Sequence, residues 1–263
     1  ERAIADVVNS GRLSMGDRVK QFEKEFAAYH DVKHAVMVNS GSSANLLGAA
    51  AMKYTYRLKD DDEVIVPVVG WSTTYFPFHQ LGFKLVFVDV GSNLSMDYAK
   101  VKDAVTNRTK AICAINILGF PCEADLRYLC EINNLIYIED NCEGLGATKY
   151  EAAIGSVPCG TVGLYGTFSF FFSHHIQTIE GGMMITNNDH LYQAALSLRA
   201  HGWTRDLPEP PNYYYDERDT AFDSSWRFVL PGYNLRPSEI NGAIGSCQLK
   251  KLDKFVAMRR HNA

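Results

Sequence analysis

Apolar residues recur at three-to-four spacing near the start of the chain, at Val19, Phe22, Phe26 and Tyr29, and Gly11 and Gly16 interrupt the period. This spacing predicts a helix, a loop and a second helix over 1–29. Further on the pattern changes. Short apolar runs at Ala35–Asn39, Glu63–Pro67, Lys84–Val90, Lys110–Ile117 and Leu135–Glu139 are separated by helical stretches at Ser42–Tyr56, Thr73–Leu81, Tyr98–Val105 and Glu123–Asn133. Strands alternating with helices predict a mostly parallel α/β sheet. Runs around Gly166–Phe172 and Met183–Thr186, then a helix over Asp189–His201, complete it. Leu207–Pro211 is proline-rich and the segment through Ser225 is polar and aromatic, which predicts a loop or lid. From Pro237 a long amphipathic helix is expected to the end, and the chain shows no internal repeat or low-complexity tract.

Composition narrows the function classes. A chain of 263 residues with 46% apolar residues can bury a substantial core. The net charge of −4 is spread along the chain, with only short runs such as Asp60–Glu63, so no nucleic-acid footprint is expected. The longest apolar stretches are strand-sized, no charged-then-apolar leader opens the chain, and it does not begin with methionine. A cytoplasmic protein represented in part is the expectation. The cysteines, Cys113, Cys122, Cys130, Cys142, Cys159 and Cys247, show no CxxC spacing and are expected as reduced thiols, without disulfides or zinc. Cys113 and Cys142 fall in strand or strand-end segments, where burial as small hydrophobes is the default.

Candidate chemistry gathers where strands end. In Asn39-Ser-Gly-Ser-Ser-Ala-Asn45 a strand stops, a glycine turns and hydroxyls open a helix. Free amides and the positive helix end favour a phosphate near Gly41 and Ser42, although Ser42 acting simply as an N-cap fits the same pattern. Ile138-Glu-Asp-Asn-Cys-Glu143 ends a strand with three carboxylates in five residues. Such a cluster at the mouth of a buried sheet wants a cation, unless it is a solvated acidic patch. Val64-Ile-Val-Pro-Val-Val-Gly-Trp71 sets an indole on a strand-to-helix turn, where packing is the commoner role. His174 and His175 occupy a polar turn between two strands. Neighbours on extended chain point to opposite faces, so one core and one outward histidine would also satisfy the pattern. No spaced His, Cys or Asp partners accompany the pair, and no metal site is expected.

The segment Thr167-Phe-Ser-Phe-Phe-Phe-Ser-His-His-Ile-Gln-Thr-Ile-Glu-Gly-Gly182 resembles the active-site stretch of the DegT/DnrJ/EryC1/StrS family of vitamin B6-dependent sugar enzymes. In that family a Ser-Phe pair precedes the Schiff-base lysine by five positions and Glu-Gly-Gly follows it by six. Counting forward from Ser169 and back from Glu180 both end on His174. No slip of register supplies the lysine, because the chain has none between Lys149 and Lys250. Five motifs in family order cover nearly the whole chain.

The resemblance implies a fold type I transferase large domain, of the aspartate aminotransferase kind, with a mostly parallel mixed sheet between helices. It implies a large cofactor-binding domain over 1–236, and over 237–263 the start of a linker helix into a small C-terminal domain that is largely missing. Pyridoxal or pyridoxamine 5'-phosphate (PLP or PMP) is the implied cofactor. Its phosphate falls to Gly41, Ser42 and Ser169, its ring face to Trp71 and its pyridinium nitrogen to Asp140. Glu143 stands where family members often have Gln or His, and is assigned the ring hydroxyl. Gly232-Tyr-Asn-Leu-Arg-Pro-Ser-Glu239 is similar to a family segment that reaches the neighbouring subunit's phosphate, which implies a homodimer with Asn234 acting in trans.

Histidine in place of lysine alters what the resemblance implies. Lysine bonds to the cofactor and also shuttles a proton, whereas imidazole can do only the second. A cofactor held without a covalent bond and a 3-dehydration of a nucleotide-linked 4-keto-6-deoxy sugar are then implied, with His174 as base and then acid and glutamate as amino donor. Gln177-Thr-Ile-Glu-Gly-Gly and Arg199-Ala-His-Gly-Trp-Thr-Arg-Asp206 resemble family members of the colitose route acting on a GDP-linked sugar. His201 then lies on the substrate side, with helix-end capping as its alternative. A related class acting on CDP-sugars adds a cysteine-bound iron-sulfur cluster; with no cysteine between Cys159 and Cys247, no cluster is expected. A PLP-dependent sugar aminotransferase and a non-catalytic subunit of the same fold remain alternatives.

Overall fold

The computed structural model describes residues 1–151, 155–205, 207 and 221–262. Helices α1 (Arg2–Ser10) and α2 (Asp17–Tyr29) lead into β1 (His34–Val38), α3 (Gly41–Thr55), β2 (Glu63–Pro67), α4 (Ser72–Gln80), β3 (Lys84–Val88), α5 (Tyr98–Ala104) and β4 (Thr109–Ile115). Then come α6 (Ala124–Ile132), β5 (Ile136–Asp140), β6 (Thr148–Glu151), β7 (Gly155–Pro158), β8 (Gly166–Ser169), β9 (Gly182–Thr186), α7 (Asp189–Arg199), α8 (Ala221–Trp226), α9 (Glu239–Leu249) and α10 (Leu252–Asn262).

Seven strands form one sheet in the order β1-β9-β8-β5-β4-β2-β3, in which only β9 runs against its neighbours. Side-chain alternation splits the core between the two faces. Val36 and Val38 of β1 join Ala111, Cys113 and Ile115 of β4 in a cluster with α3, α4 and α7. Ala35 and Met37 point the other way, to Phe22 and Phe26 of α2 and to Phe168. Ile112 and Ala114 meet Leu126 and Leu129 of α6 on that second side. With both faces covered, functional groups are left to the strand ends. The C-terminal ends of β1, β2, β5 and β8 open on one edge, where α/β sheets place their ligands.

The predicted strands and helices are present with their ends moved by a few residues. One hairpin is new, and its burial explains why. In β6 the inward residues are Lys149 and Glu151, while Tyr150 faces out, so hydrophobicity marks the wrong face. The ammonium of Lys149 is buried against Glu139 and lies 3.8 Å from Glu151. Replacing Lys149 with methionine leaves the buried Glu139 charge uncompensated and is expected to cost roughly 3–5 kcal/mol, read from chemical denaturation. The long C-terminal helix is two helices, α9 and α10, separated at Lys250 and Lys251, and both Leu249 and Leu252 reach the core. The end of the expected lid, 221–225, lies in α8 and not in a loop; its residues 208–220 lie outside the described residues.

His30 is buried against Phe26 and Phe168, its Nδ1 3.0 Å from the Phe26 carbonyl, and burial pushes its pKa down to about 4. The unfolded chain therefore binds the proton first as pH falls. Stability from this group is full above the unfolded value of 6.5 and is lost on acidification toward 4, by roughly 3 kcal/mol. His30→Phe is expected to remove that part of the acid sensitivity in a pH series of melting curves.

Candidate active site

Asp140 ends β5 and is 5% exposed. Its Oδ2 accepts hydrogen bonds from Asn45 Nδ2 at 2.9 Å and Thr74 Oγ1 at 2.6 Å, and its Oδ1 accepts from the Cys142 amide at 3.1 Å. All three donors are neutral. Among the described residues no cation pairs with this carboxylate, so its buried charge is oriented but not balanced. Asn45 is itself fixed, its Oδ1 accepting from Thr167 Oγ1 at 2.5 Å. Asn45, Thr74 and Thr167 thus hold the carboxylate, a support that the sequence reading missed. The signal was partial, since Asn45 closes the Asn39–Asn45 motif, whereas Thr74 and Thr167 meet it only through the fold.

The β1–α3 turn and the end of β8 come together beside it. Ser40, not Ser42, is the N-cap of α3, accepting from the Ser43 amide at 3.1 Å. Ser42 is therefore free of capping, and its Oγ donates to Thr73 Oγ1 at 2.9 Å. Gly41 opens the helix in such close contact that a Cβ there would stand 2.5 Å from Ser169 Cβ. A Cβ at Gly182 would stand 2.2 Å from the Ser40 carbonyl oxygen. Ser169 is buried, and its Oγ accepts from the Phe171 amide at 3.4 Å. Gly41, Ser42 and Ser169 therefore converge on the N-terminus of a 15-residue helix, whose free amides attract an anion.

Trp71 lies at the start of α4 and is 71% exposed, so packing within the chain does not explain it. Trp71→Ala is accordingly expected to move stability by less than about 0.5 kcal/mol. On the sequence expectation that the indole covers a cofactor ring, the same change should weaken cofactor binding by roughly 0.5–1.5 kcal/mol, up to about tenfold, in a fluorescence titration.

Glu143 is half-buried and accepts from the Leu118 amide at 2.9 Å, in a turn where Leu118 takes a left-handed φ of 54°. His174 is half-buried in the β8–β9 turn, its amide donating to the Phe171 carbonyl at 3.0 Å. Desolvation lowers its pKa; the charges of Glu143 and Asp140 oppose that shift and Arg259 adds to it. The ring is therefore neutral at pH 7 and able to accept a proton. His175 is pushed further, to about 4, by burial and by the charges of Arg259 and His174.

His201 and Asn234 form a separate group. His201 is exposed in a left-handed conformation just past α7, with φ 66°. Arg236 bridges the pair, its Nε donating to Asn234 Oδ1 at 3.0 Å and its Nη2 lying 3.2 Å from His201 Nε2. No hydrogen bond among the described residues joins this group to Asp140, Ser169 or His174. All six cysteines are free thiols; Cys113 is buried and Cys142 half-buried. Among the described residues no cluster of His, Cys, Asp and Glu is arranged to hold a metal ion.

A model of the DegT/DnrJ/EryC1/StrS aminotransferase family matches residues 1–263. The chain belongs to that family. It is 49% identical to GDP-4-keto-6-deoxy-D-mannose 3-dehydratase of Yersinia pseudotuberculosis, over 99% of this chain and 66% of the relative. The solved Escherichia coli enzyme of that name, with bound hydrated PLP, superposes with a TM-score of 0.92 at 47% identity, covering 99% of this chain and 67% of that one. A structure of the same dehydratase with a trapped PLP-glutamate geminal diamine superposes with a TM-score of 0.89 at 46% identity, over 96% of this chain and 65% of that one. The chain thus spans about two thirds of these relatives. Its architecture is the α/β large-domain fold of the DegT/DnrJ/EryC1/StrS family, with a mixed, mostly parallel sheet between helices.

Proposed function

We propose that this chain is the cofactor-binding part of a PMP/PLP-dependent 3-dehydratase that removes the 3-hydroxyl of a nucleotide-linked 4-keto-6-deoxy sugar, with GDP-4-keto-6-deoxy-D-mannose as substrate and glutamate as amino donor. The observation that carries this is His174 in the lysine position of a site otherwise built for the cofactor. Lys149 cannot substitute, since its ammonium is buried against Glu139. The names of the similar dehydratases support the substrate, and their trapped glutamate adduct supports the donor.

The residues present fit the cofactor. Asp140 is a buried carboxylate with neutral donors only, which a pyridinium would balance. The contact between Gly41 and Ser169 leaves a cradle bounded by hydroxyls and helix amides, suited to a phosphate. The Trp71 indole is free to cover a ring face, and Glu143 reaches the same edge from the loop after β5. When bound, the cofactor supplies an amine for the 4-keto carbon and a ring that withdraws electrons. Asp140 keeps a proton at the ring nitrogen. His174 would take, at an imidazole nitrogen, a proton from the carbon that bears the cofactor's amine and, as imidazolium, would give it to the departing 3-hydroxyl, which leaves as water.

Asn234 is assigned to the phosphate of a neighbouring copy, in a homodimer with shared sites. No hydrogen bond among the described residues ties it to the Asp140 group, and Val68, Val69, Trp71 and Phe172 are exposed apolar side chains; both observations support that assignment. His201, tied to Asn234 through Arg236, goes with the substrate side. The division at 236, with α9 and α10 beginning a linker to a second domain, belongs to the same proposal. Among the described residues no helix is long and apolar enough to cross a membrane; a cytoplasmic place is part of the same proposal.

Because His174 is neutral at pH 7, activity is expected to fall only as pH drops through a value below 6.5, with the acid limb of kcat marking it. Borohydride reduction of the PLP-loaded protein tests the missing covalent bond. The expected result is no pyridoxyl group on the protein, and a pyridoxyl group in His174→Lys. A labelled unmodified protein would favour an aminotransferase working through another lysine, and failure to bind PLP or PMP would favour a structural subunit.

A further inference from the structure

The proposed chemistry rests on two loops, one after β5 with Glu143 and one between β8 and β9 with His174. Neither is part of the sheet, so something else must fix the distance between them. Helix α10 touches both. Arg259 Nη2 donates to the His174 carbonyl at 3.3 Å, and Arg260 Nη2 donates to the Gly146 carbonyl at 2.9 Å. Successive helix residues point about 100° apart, so adjacent arginines can reach two loops without competing. Packing supports the same contact. Gly146 has φ 88°, and a Cβ there would stand 2.4 Å from Val256 Cγ2, so the loop lies flush on the helix. Val256 and Phe255 pack on the cluster that contains Leu145 and Ile176, one residue from each loop. From α9, Asn241 Nδ2 donates to the carbonyls of Thr178 at 2.7 Å and Glu180 at 3.0 Å, closing the far end of the histidine turn.

We infer that α10 is a clasp across the two catalytic loops, with Arg259 a positioning residue for His174 and Arg260 a positioning residue for the loop that follows Asp140 and Glu143. The clasp rests on the dehydratase reading only for its consequence in turnover; the contacts stand without it. Arg259 also acts by charge. The charges acting on His174 are Glu143 and Asp140 from β5 and its loop and Arg259 from α10, and the titratable His175 is its neighbour in the same turn. The two carboxylates favour the imidazolium, and Arg259, held to the His174 carbonyl, opposes them.

Hydrogen–deuterium exchange on the full-length protein without substrate tests this, followed at backbone amides and at the histidine Cε1 position, whose exchange rate reports ring titration. Arg259→Met should speed exchange several-fold in a peptide over 170–180 and raise the His174 midpoint. Arg260→Met should speed exchange over 141–147 and leave that midpoint in place. Arg259→Lys should recover the midpoint, because the charge returns, while recovering loop protection only in part. Unchanged exchange in both loops, or a midpoint that lysine fails to recover, would overturn the clasp. In turnover, Arg259→Met should lower kcat and move its acid limb upward with KM for the nucleotide sugar unchanged. Loops that respond in a protein that dehydrates nothing would instead count against the dehydratase alone.

Discussion

Replacing His174 with asparagine is expected to lower dehydration of the nucleotide sugar by about 10²–10⁴-fold, the range that one positioned acid–base group contributes. Cofactor affinity should hardly change, because the phosphate and ring contacts are proposed for Ser42, Ser169, Trp71 and Asp140. The variant should also lose the acid limb of kcat, since asparagine does not titrate. Single-turnover mixing of the PMP-loaded variant with substrate separates the two effects. Slow chemistry with normal binding is the expected pattern; weak binding with normal chemistry would move His174 out of the proton-transfer role.

Asp140→Asn should be nearly as damaging, for a different reason. The carboxylate accepts three hydrogen bonds. An amide keeps one acceptor oxygen and sets its own NH2 either against the Cys142 amide or against both Asn45 and Thr74, which costs about 1–3 kcal/mol of stability. The buried negative charge is lost as well, and with it the reason for a proton to stay on the ring nitrogen. Loss of one preorganised electrostatic partner should reduce turnover by roughly 10²–10³-fold. Calorimetry and steady-state rates measure the two effects separately. Full activity with only a lowered Tm would make Asp140 structural.

Asp140 was visible because a run of carboxylates at a strand end is costly without a cation. His174 was visible through the family resemblance, which puts a lysine at its position. The short apolar runs at 35–39 and 110–117 marked two strands because both faces of each are buried. Hidden features had hidden physics. The β6–β7 hairpin turns charged side chains inward, so no hydrophobic period announces it. Ser40 and Ser42 are equivalent as letters, and only backbone geometry decides which caps the helix and which faces the site. Thr74 reaches Asp140 across 66 positions, Thr167 reaches Asn45 across 122 and Arg259 reaches the His174 carbonyl across 85. No local pattern encodes such contacts.

The most direct measurement is the mass of the sugar product when the full-length, PMP-loaded protein is given GDP-4-keto-6-deoxymannose and glutamate. The account predicts a product that has lost one oxygen and gained no nitrogen, with His174→Asn producing almost none. An amino sugar that keeps its 3-oxygen would contradict it.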